Sequence, residues 1–242
     1  ENERIRFARK GLSDIFDILS EVAFLIRKPL DIDGLSGFST YFEKQFIVYL
    51  NSNFTLGHER YTGAHELYHI IYNDYILTKE KILLNDEKHK TEDIKAEVFA
   101  SEFLMPEDYV KEVFFKIVNV DENSVLQRHI IRMHNHFKVS YKAMLKRLIQ
   151  LDLCSINKYD ELVDICSLEN IEKLQSLTRR EGYSIDLITP SRETWVPKEY
   201  IEFVKSNYER GNISYKNMKN SLEFVGLTPE KFGYDYPQQE EY

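Results

Sequence analysis

The sequence has few cysteines and no long apolar run. Its 242 residues include two cysteines, Cys154 and Cys166, too few for the disulfide framework that stabilises many small secreted proteins. The longest apolar run near the start, residues 22–26, is too short for the core of a signal peptide or for a membrane span. We therefore expect a cytoplasmic protein that does not enter a membrane. The first residue is glutamate rather than methionine, which is compatible with further residues upstream.

An excess of positive charge is also missing. The formal net charge is −8 at pH 7, which gives no overall argument for nucleic-acid binding. Hydrophobic residues make up 43% of the chain, with 15 phenylalanines and 16 tyrosines, as is typical of a folded globular protein. This length allows one sizeable core and a smaller appendage.

Residues 60–75 contain an H-E-x-x-H motif on a predicted helix. On a helix His65 and His69 lie one turn apart on the same face, with Cβ atoms about 6 Å apart, so both imidazoles can reach one metal ion. Glu66 is rotated off that face, from where its carboxylate can reach a water molecule on the metal. The motif also occurs by chance, but buried polar groups are costly unless they have partners, and a metal ion supplies them. The apolar positions that recur here at helical spacing are Ala64, Leu67, Tyr68, Ile71 and Tyr75.

Two histidines leave a catalytic zinc site short of one ligand, because such sites usually combine three protein ligands with a water molecule. Asp93 and Glu97 are the candidates, one turn apart on a second predicted helix and on the side that carries two alanines. One carboxylate can bind the metal while the other orients a ligand histidine. Alternatively, Glu92 and Asp93 only complement the dipole of this helix.

The elements around the motif follow from periodicity and turn residues. An amphipathic helix is predicted over residues 12–27, and two short strands are predicted over residues 35–42 and 46–50. An edge strand of this hairpin can run along a cleft and pair with an extended peptide, or the hairpin can simply cover the core. Residues 76–92 are predicted to form a charged connection, with Thr91 as the N-cap of the second helix.

Two motifs in a specific order point to a known family. Residues 60–69, RYTGAHELYH, are followed at residues 93–106 by DIKAEVFASEFLMP. Together they resemble the ImmA/IrrE metallopeptidases, whose pattern joins R-F-T-x-A-H-E-x-x-H to E-x-x-A-N/D-x-F-A-x-x-L-M-P, and the resemblance covers roughly residues 30–150. It implies an α+β, mainly helical, zincin-like metallopeptidase with a small N-terminal β-sheet or hairpin and a helical C-terminal extension.

The resemblance also implies roles for individual residues. His65 and His69 would bind one Zn²⁺ ion per chain, and Glu66 would be the catalytic base. The family's glutamate ligand falls on Asp93, and its asparagine or aspartate one turn later falls on Glu97. Both positions depart from the common residue. The side chain of Asp93 is one methylene shorter, so we favour Asp93 as the third ligand and keep Glu97 as the residue that orients a ligand or replaces Asp93.

The same resemblance implies a zinc-dependent endopeptidase that cuts a protein substrate, a helix-turn-helix transcriptional repressor, and so relieves repression. One alternative is a zinc-stabilised regulator that binds a repressor without cutting it. Another is a DNA-binding regulator that uses the basic segment 128–147, where two helices are predicted around residues 137–140 with Ser140 as N-cap. Similar segments close the core in this family, so we do not expect direct nucleic-acid binding.

Residues 1–153 are predicted to form the metallopeptidase domain. Residues 154–242 are predicted to form a smaller helical region that recognises a partner. Within it, helices are predicted over residues 197–210 and 214–225, and the tail at residues 238–242 is predicted to be frayed.

Overall fold

Three strands form the sheet in the part of the chain that the computed structural model describes, residues 2–42, 44–72 and 86–235. They are β1 (Phe24–Lys28), β2 (Gly37–Phe42) and β3 (Gln45–Asn51), in the spatial order β1-β3-β2. Strand β3 runs parallel to β1 and antiparallel to β2. The two predicted strands are thus confirmed, although Glu43 of the predicted turn lies outside the described residues.

The helix predicted over residues 12–27 is wrong in its second half. After α1 (Asn2–Arg9), helix α2 covers only Ile15–Val22, and the chain then enters β1, where burial alternates and Leu25 points into the core. A short run such as Phe24-Leu25-Ile26 fits either period. Parallel pairing with β3, which is distant in the sequence, selects the extended form.

The long helices α3 (Leu56–Tyr72) and α4 (Asp86–Leu104) pack against each other. Ala100 of α4 lies in the same apolar cluster as Ala64 and Leu67 of α3. Helix α4 begins five residues before Thr91, so the prediction of Thr91 as N-cap is wrong. The rest of the predicted charged connection, residues 76–85, lies outside the described residues.

Helices α5 (Glu107–Ile117), α6 (Gln127–Phe137) and α7 (Tyr141–Gln150) enclose a second, larger apolar cluster. The predicted helix pair is confirmed, and the Ser140 hydroxyl caps α7 by accepting a hydrogen bond from the backbone N–H of Ala143. The start of α3 lies against the turn between α6 and α7. A Cβ placed on Gly57 would be 2.6 Å from the backbone nitrogen of Ser140.

The C-terminal part of the chain is helical, and the two helices predicted in it are confirmed. Leu162, Ile165, Leu174 and Ile188 join the larger cluster of α5, α6 and α7. The division at residue 153 therefore crosses a continuous core, and it stays a prediction. The elements are α8 (Tyr159–Val163), α9 (Ile171–Arg180), α10 (Lys198–Glu209) and α11 (Tyr215–Phe224), with 3-10 turns at Ile156–Lys158, Asp164–Cys166, Asp186–Ile188 and Pro229–Phe232. The predicted frayed tail, residues 238–242, lies outside the described residues.

Residues 189–195, which we call the crossing segment, connect this region back to the sheet. Arg27 and Trp195 exchange backbone hydrogen bonds of 2.9 and 2.8 Å, and the N–H of Leu56 donates to Thr189 at 3.0 Å. The crossing segment thus covers the outer side of β1 and the start of α3. In the described part of the chain, β2 pairs only with β3, so the outer edge of β2 stays open.

The predicted fold class, α+β and mainly helical with a small N-terminal sheet, is confirmed. None of the described helices combines the length with the apolar character that a membrane span requires.

Candidate metal centre

Helices α3 and α4 bring three of the predicted site residues together. His65 and His69 lie on α3, Asp93 lies on α4, and one ligand atom from each lies within 4.8 Å of the other two. The two histidine Nε2 atoms are 3.2 Å apart, and Nε2 of His69 is 3.7 Å from Oδ1 of Asp93. The cluster has the composition and the spacing to hold a metal ion.

The spacing of the imidazole nitrogens fits a small metal ion well. Two ligands about 2.0 to 2.1 Å from a tetrahedral zinc ion are about 3.3 Å from each other. The Nε2–Nε2 distance of 3.2 Å is therefore that of two corners of such a site. The Asp93 side chain is 62% exposed, so the third donor approaches from the open side of the cluster, where water also has access.

Glu66 lies beside the cluster and is not one of its three members. Its carboxylate is buried, with 6% of the residue exposed, and burial raises its pKa. The nearby Ser39 hydroxyl of β2 and the charge of His65 act in the opposite direction and favour the carboxylate. Sequence analysis did not identify Ser39, because only the register of β2 beside α3 brings it to Glu66.

Glu97 occupies a different position from Asp93. Its Oε1 atom is 3.6 Å from Nδ1 of His65, and its Oε2 atom accepts a hydrogen bond of 3.0 Å from the Tyr61 hydroxyl. The contact with His65 lowers the pKa of Glu97, and the Tyr61 hydroxyl and the charge of Lys146 lower it further. Glu97 therefore faces the ring nitrogen of His65 that points away from the cluster. Tyr61, which fixes Glu97, was also missed by sequence analysis.

A cleft of about 770 Å³ adjoins the cluster. Helices α3, α4 and α7 form its walls, and Asp93 and Glu97 line it together with His58. Burial lowers the pKa of His58, and its Nε2 atom lies 2.9 Å from the hydroxyl oxygen of Ser36. Asp93 is thus a member of the cluster and also part of the cleft wall.

In the basic segment 128–147, two arginines form ion pairs within the fold. Arg147 is buried, donates to the carbonyl oxygen of Met105 at 3.0 Å, and pairs with Glu102. Arg132 pairs with Glu181 at 2.7 Å. These two guanidinium groups are therefore not available for phosphate contacts, which weakens the DNA-binding alternative.

No curated protein sequence matches the chain significantly. The model of the M78 peptidase family, described as the IrrE N-terminal-like domain, matches residues 21–149, just over half of the chain. The matched part contains the whole three-residue cluster, Glu66 and the sheet. The chain therefore belongs to the IrrE N-terminal-like peptidase family, as its two motifs predicted.

Proposed function

We propose that this chain is a zinc-dependent endopeptidase that hydrolyses a peptide bond in a protein substrate. Membership of a peptidase family gives the reaction class. The proposal of zinc rests on one observation, the His65-His69-Asp93 cluster with its 3.2 Å spacing of imidazole nitrogens. Two imidazoles and one carboxylate are a usual ligand set of catalytic zinc sites, which keep a further position for water.

Within this proposal each side chain has a separate role. His65, His69 and Asp93 hold the ion, and Glu97 orients the ring of His65 through its Nδ1 atom. A zinc ion in this site would polarise the peptide carbonyl group and lower the pKa of a bound water molecule towards about 7. Glu66 takes the proton of the attacking water and passes it to the leaving amine nitrogen. Ser39 of β2 lies close to Glu66 and favours the ionised carboxylate that the first of these steps requires.

The open edge of β2 is an argument that the substrate binds as an extended peptide. In the described part of the chain, β1 is covered by the crossing segment, whereas β2 offers unpaired backbone groups next to Glu66. An extended peptide that added to this edge would run along β2, where Ser39 lies close to Glu66. Backbone hydrogen bonds to β2 would then position the scissile bond, and such bonds require no particular side chains in the substrate.

For the substrate itself we propose a helix-turn-helix transcriptional repressor, so that cleavage relieves repression in the cytoplasm. This part rests on the resemblance of the two motifs to ImmA/IrrE metallopeptidases. We further propose that the C-terminal region, beginning after residue 153, takes part in recognising that partner. Its last two helices, α10 and α11, have a small apolar cluster of their own around Met218 and Leu222.

The test uses a helix-turn-helix repressor encoded beside the gene of this chain. The repressor is incubated with the zinc-loaded wild type and with zinc-loaded Glu66→Gln, and intact masses are measured over time. We expect one new cleavage product with the wild type and at least about a hundredfold slower cleavage with the variant, because general base catalysis contributes about 10² to 10⁴. Zinc content should be equal in both proteins.

Three other outcomes would count against the proposal. Derepression that survives in Glu66→Gln would instead assign a zinc-stabilised regulator that acts by binding alone. Absence of zinc from the purified wild type after loading would remove the metal centre. Salt-dependent binding to duplex DNA that weakens in Lys142→Ala would favour the DNA-binding alternative.

A further inference from the structure

The cleft beside the three-residue cluster has two walls of different chemistry. On α4, Ile94 and Val98 lie one turn apart and are 64% and 60% exposed, although both are large and apolar. On α7, Lys142 and Lys146 lie one turn apart on the opposite wall. An apolar pair therefore faces a cationic pair across the space that adjoins the candidate metal ligands.

The two lysines differ from the arginines of the same segment. Arg132 of α6 pairs with Glu181, and Arg147, which also lines the cleft, is buried and pairs with Glu102. Among the described residues, neither Lys142 nor Lys146 has a carboxylate within 4 Å. Lys146 is close enough to Glu97, beside the candidate metal site, for its charge to lower the pKa of that carboxyl group.

Binding of a metal ion would change the charge balance of the cleft. The two positive charges of a divalent cation held by His65, His69 and Asp93 would balance the negative charges of Asp93 and Glu97. The charges of Lys142 and Lys146 would then be in excess in a concave space, where the field of a charge is stronger than on a convex surface. The complementary group on a bound peptide is a carboxylate.

We propose that Lys142 and Lys146 determine specificity by binding an acidic side chain of the substrate close to the scissile bond, while Ile94 and Val98 contact an apolar side chain next to it. This inference rests on the proposed peptidase function of the same site. It adds a substrate class: protein segments that present Asp or Glu beside an apolar residue. Lys142 and Lys146 act on the substrate and take no part in the proton transfer assigned to Glu66.

The probe is a library of peptides made by digesting a bacterial protein extract with a protease of known specificity. The library is incubated with the zinc-loaded full chain, and new termini are identified by mass spectrometry. We expect Asp and Glu to be enriched at one fixed position near the new termini. A cleaved peptide is then synthesised with Glu and with Gln at that position, and we expect the Glu form to have about fivefold higher kcat/KM at low salt, as two partly exposed ion pairs allow.

Charge reversal supplies the decisive comparison. In the double variant Lys142→Glu with Lys146→Glu, we expect the preference to invert in favour of Lys or Arg at that position. The matched control is Lys116→Glu with Lys173→Glu, which changes the net charge by the same amount on exposed lysines that do not line the cleft. The control should keep the wild-type preference. Binding of the Glu and Gln peptides to the zinc-loaded Glu66→Gln protein, measured by fluorescence anisotropy, gives a readout that is independent of turnover.

The outcomes separate this inference from the proposed function. Cleavage without an acidic preference, or a preference that the Lys142 and Lys146 variant keeps, would overturn the inference and leave the peptidase intact. If the wild type cleaved no library peptide, selective retention of Asp- and Glu-containing library peptides by the zinc-loaded Glu66→Gln protein would support the role of Lys142 and Lys146 and count against the peptidase. No cleavage together with retention that does not depend on Asp or Glu would overturn both. Loss of duplex DNA binding in the double variant, with no effect on peptides, would assign these lysines to nucleic acid instead.

Discussion

Glu97 lies 3.6 Å from Nδ1 of His65, whereas the Nε2 atom of the same ring lies 3.2 Å from Nε2 of His69. The two nitrogens of one imidazole therefore have different partners: one faces the candidate metal position and the other faces a carboxylate. A carboxylate behind a ligand histidine fixes the orientation of the ring and raises its basicity. Asp93 has the other arrangement, with its carboxylate towards Nε2 of His69.

Because Asp93 and Glu97 face different histidine nitrogens, we expect substitutions at these two positions to weaken zinc binding to different extents. We expect Asp93→Ala to lose stoichiometric zinc, because the proposed third ligand is removed. Glu97→Gln should retain zinc and bind it about 10 to 100 times more weakly, as is usual when a partner of a ligand histidine is removed. Zinc content after gel filtration and competition with a chromophoric chelator measure both effects.

Tyr61→Phe is the control for this prediction. It removes the hydroxyl that donates to Glu97 at 3.0 Å and leaves both carboxylates in place, so a smaller loss of affinity is expected. If Glu97→Gln released zinc completely while Asp93→Ala retained it, Glu97 would be the third ligand.

Two glycines of α3 differ in what surrounds them, and we expect alanine at each to have a different effect on stability. A Cβ on Gly57 would meet backbone atoms of Ser140, Val139 and Leu187 at 2.6 to 2.8 Å. At Gly63 the nearest atoms belong to side chains, with Cδ1 of Leu19 at 3.1 Å. We expect Gly57→Ala to lower the free energy of unfolding by about 2 kcal/mol or more, because backbone cannot move aside as a side chain can.

Gly63→Ala is the matched substitution in the same helix. Its overpacking is offset by the higher helix propensity of alanine, about 1 kcal/mol, so the net change should be small. Urea unfolding followed by circular dichroism measures both variants. Equal losses for the two would show that the contact at Gly57 relaxes more easily than the structure indicates.

Because His134 is buried, we expect the stability of the fold to depend on pH independently of the candidate metal site. His134 is fully buried, with Nδ1 3.1 Å from the carbonyl oxygen of Val139 and Nε2 3.1 Å from the side-chain amide of Asn135. Burial lowers its pKa from 6.5 to about 4. The imidazole is therefore neutral in the folded protein at a pH at which the unfolded chain already binds a proton.

The stability that depends on neutral His134 is complete above about pH 6.5 and falls as the pH approaches 4. From these two pKa values we expect a loss of about 2 kcal/mol between pH 7 and pH 5. His134→Gln removes the titration and can still donate to Val139. The difference in unfolding free energy between wild type and His134→Gln should therefore shrink or reverse at pH 5, and parallel pH profiles would contradict the assignment.

A buried ion pair ties the crossing segment to the sheet and to α3. Arg27 contacts Glu59 through Nε at 2.7 Å and Glu193 through Nη1 at 2.8 Å, and Glu59 is completely buried. Arg27→Met should cost about 3 to 5 kcal/mol, because it leaves the Glu59 carboxylate buried without a cation. Glu59→Leu should cost less, because Arg27 keeps Glu193 as a partner.

The double variant Arg27→Met with Glu59→Leu tests the origin of these losses. It should be more stable than Arg27→Met alone, because no buried charge remains unpaired. Chemical denaturation with all three proteins gives the comparison. Additive losses in the double variant would mean that the packing of Arg27 on the ring of Phe16, 3.8 Å from its centroid, matters more than the charge pair.

The amino-acid sequence by itself determined the parts of this protein that are encoded within one or two helical turns. The spacing of His65 and His69, the position of Glu66 and the two-helix motif around Ser140 follow from helical geometry, which depends only on separation along the chain. The same local rules failed for residues 23–27, where a short apolar run fits both a helix and a strand.

Tertiary structure decided the contacts between segments that are distant in the sequence. The register of β2 brings Ser39 to Glu66, the packing of α4 on α3 places Glu97 behind His65 and Asp93 beside His69, and the crossing segment covers β1. Such contacts arise from the joint burial of several apolar faces, so no local pattern specifies them. The order of the motifs predicted a metal site of the peptidase kind. The packing of the helices decided which histidine nitrogen each carboxylate faces.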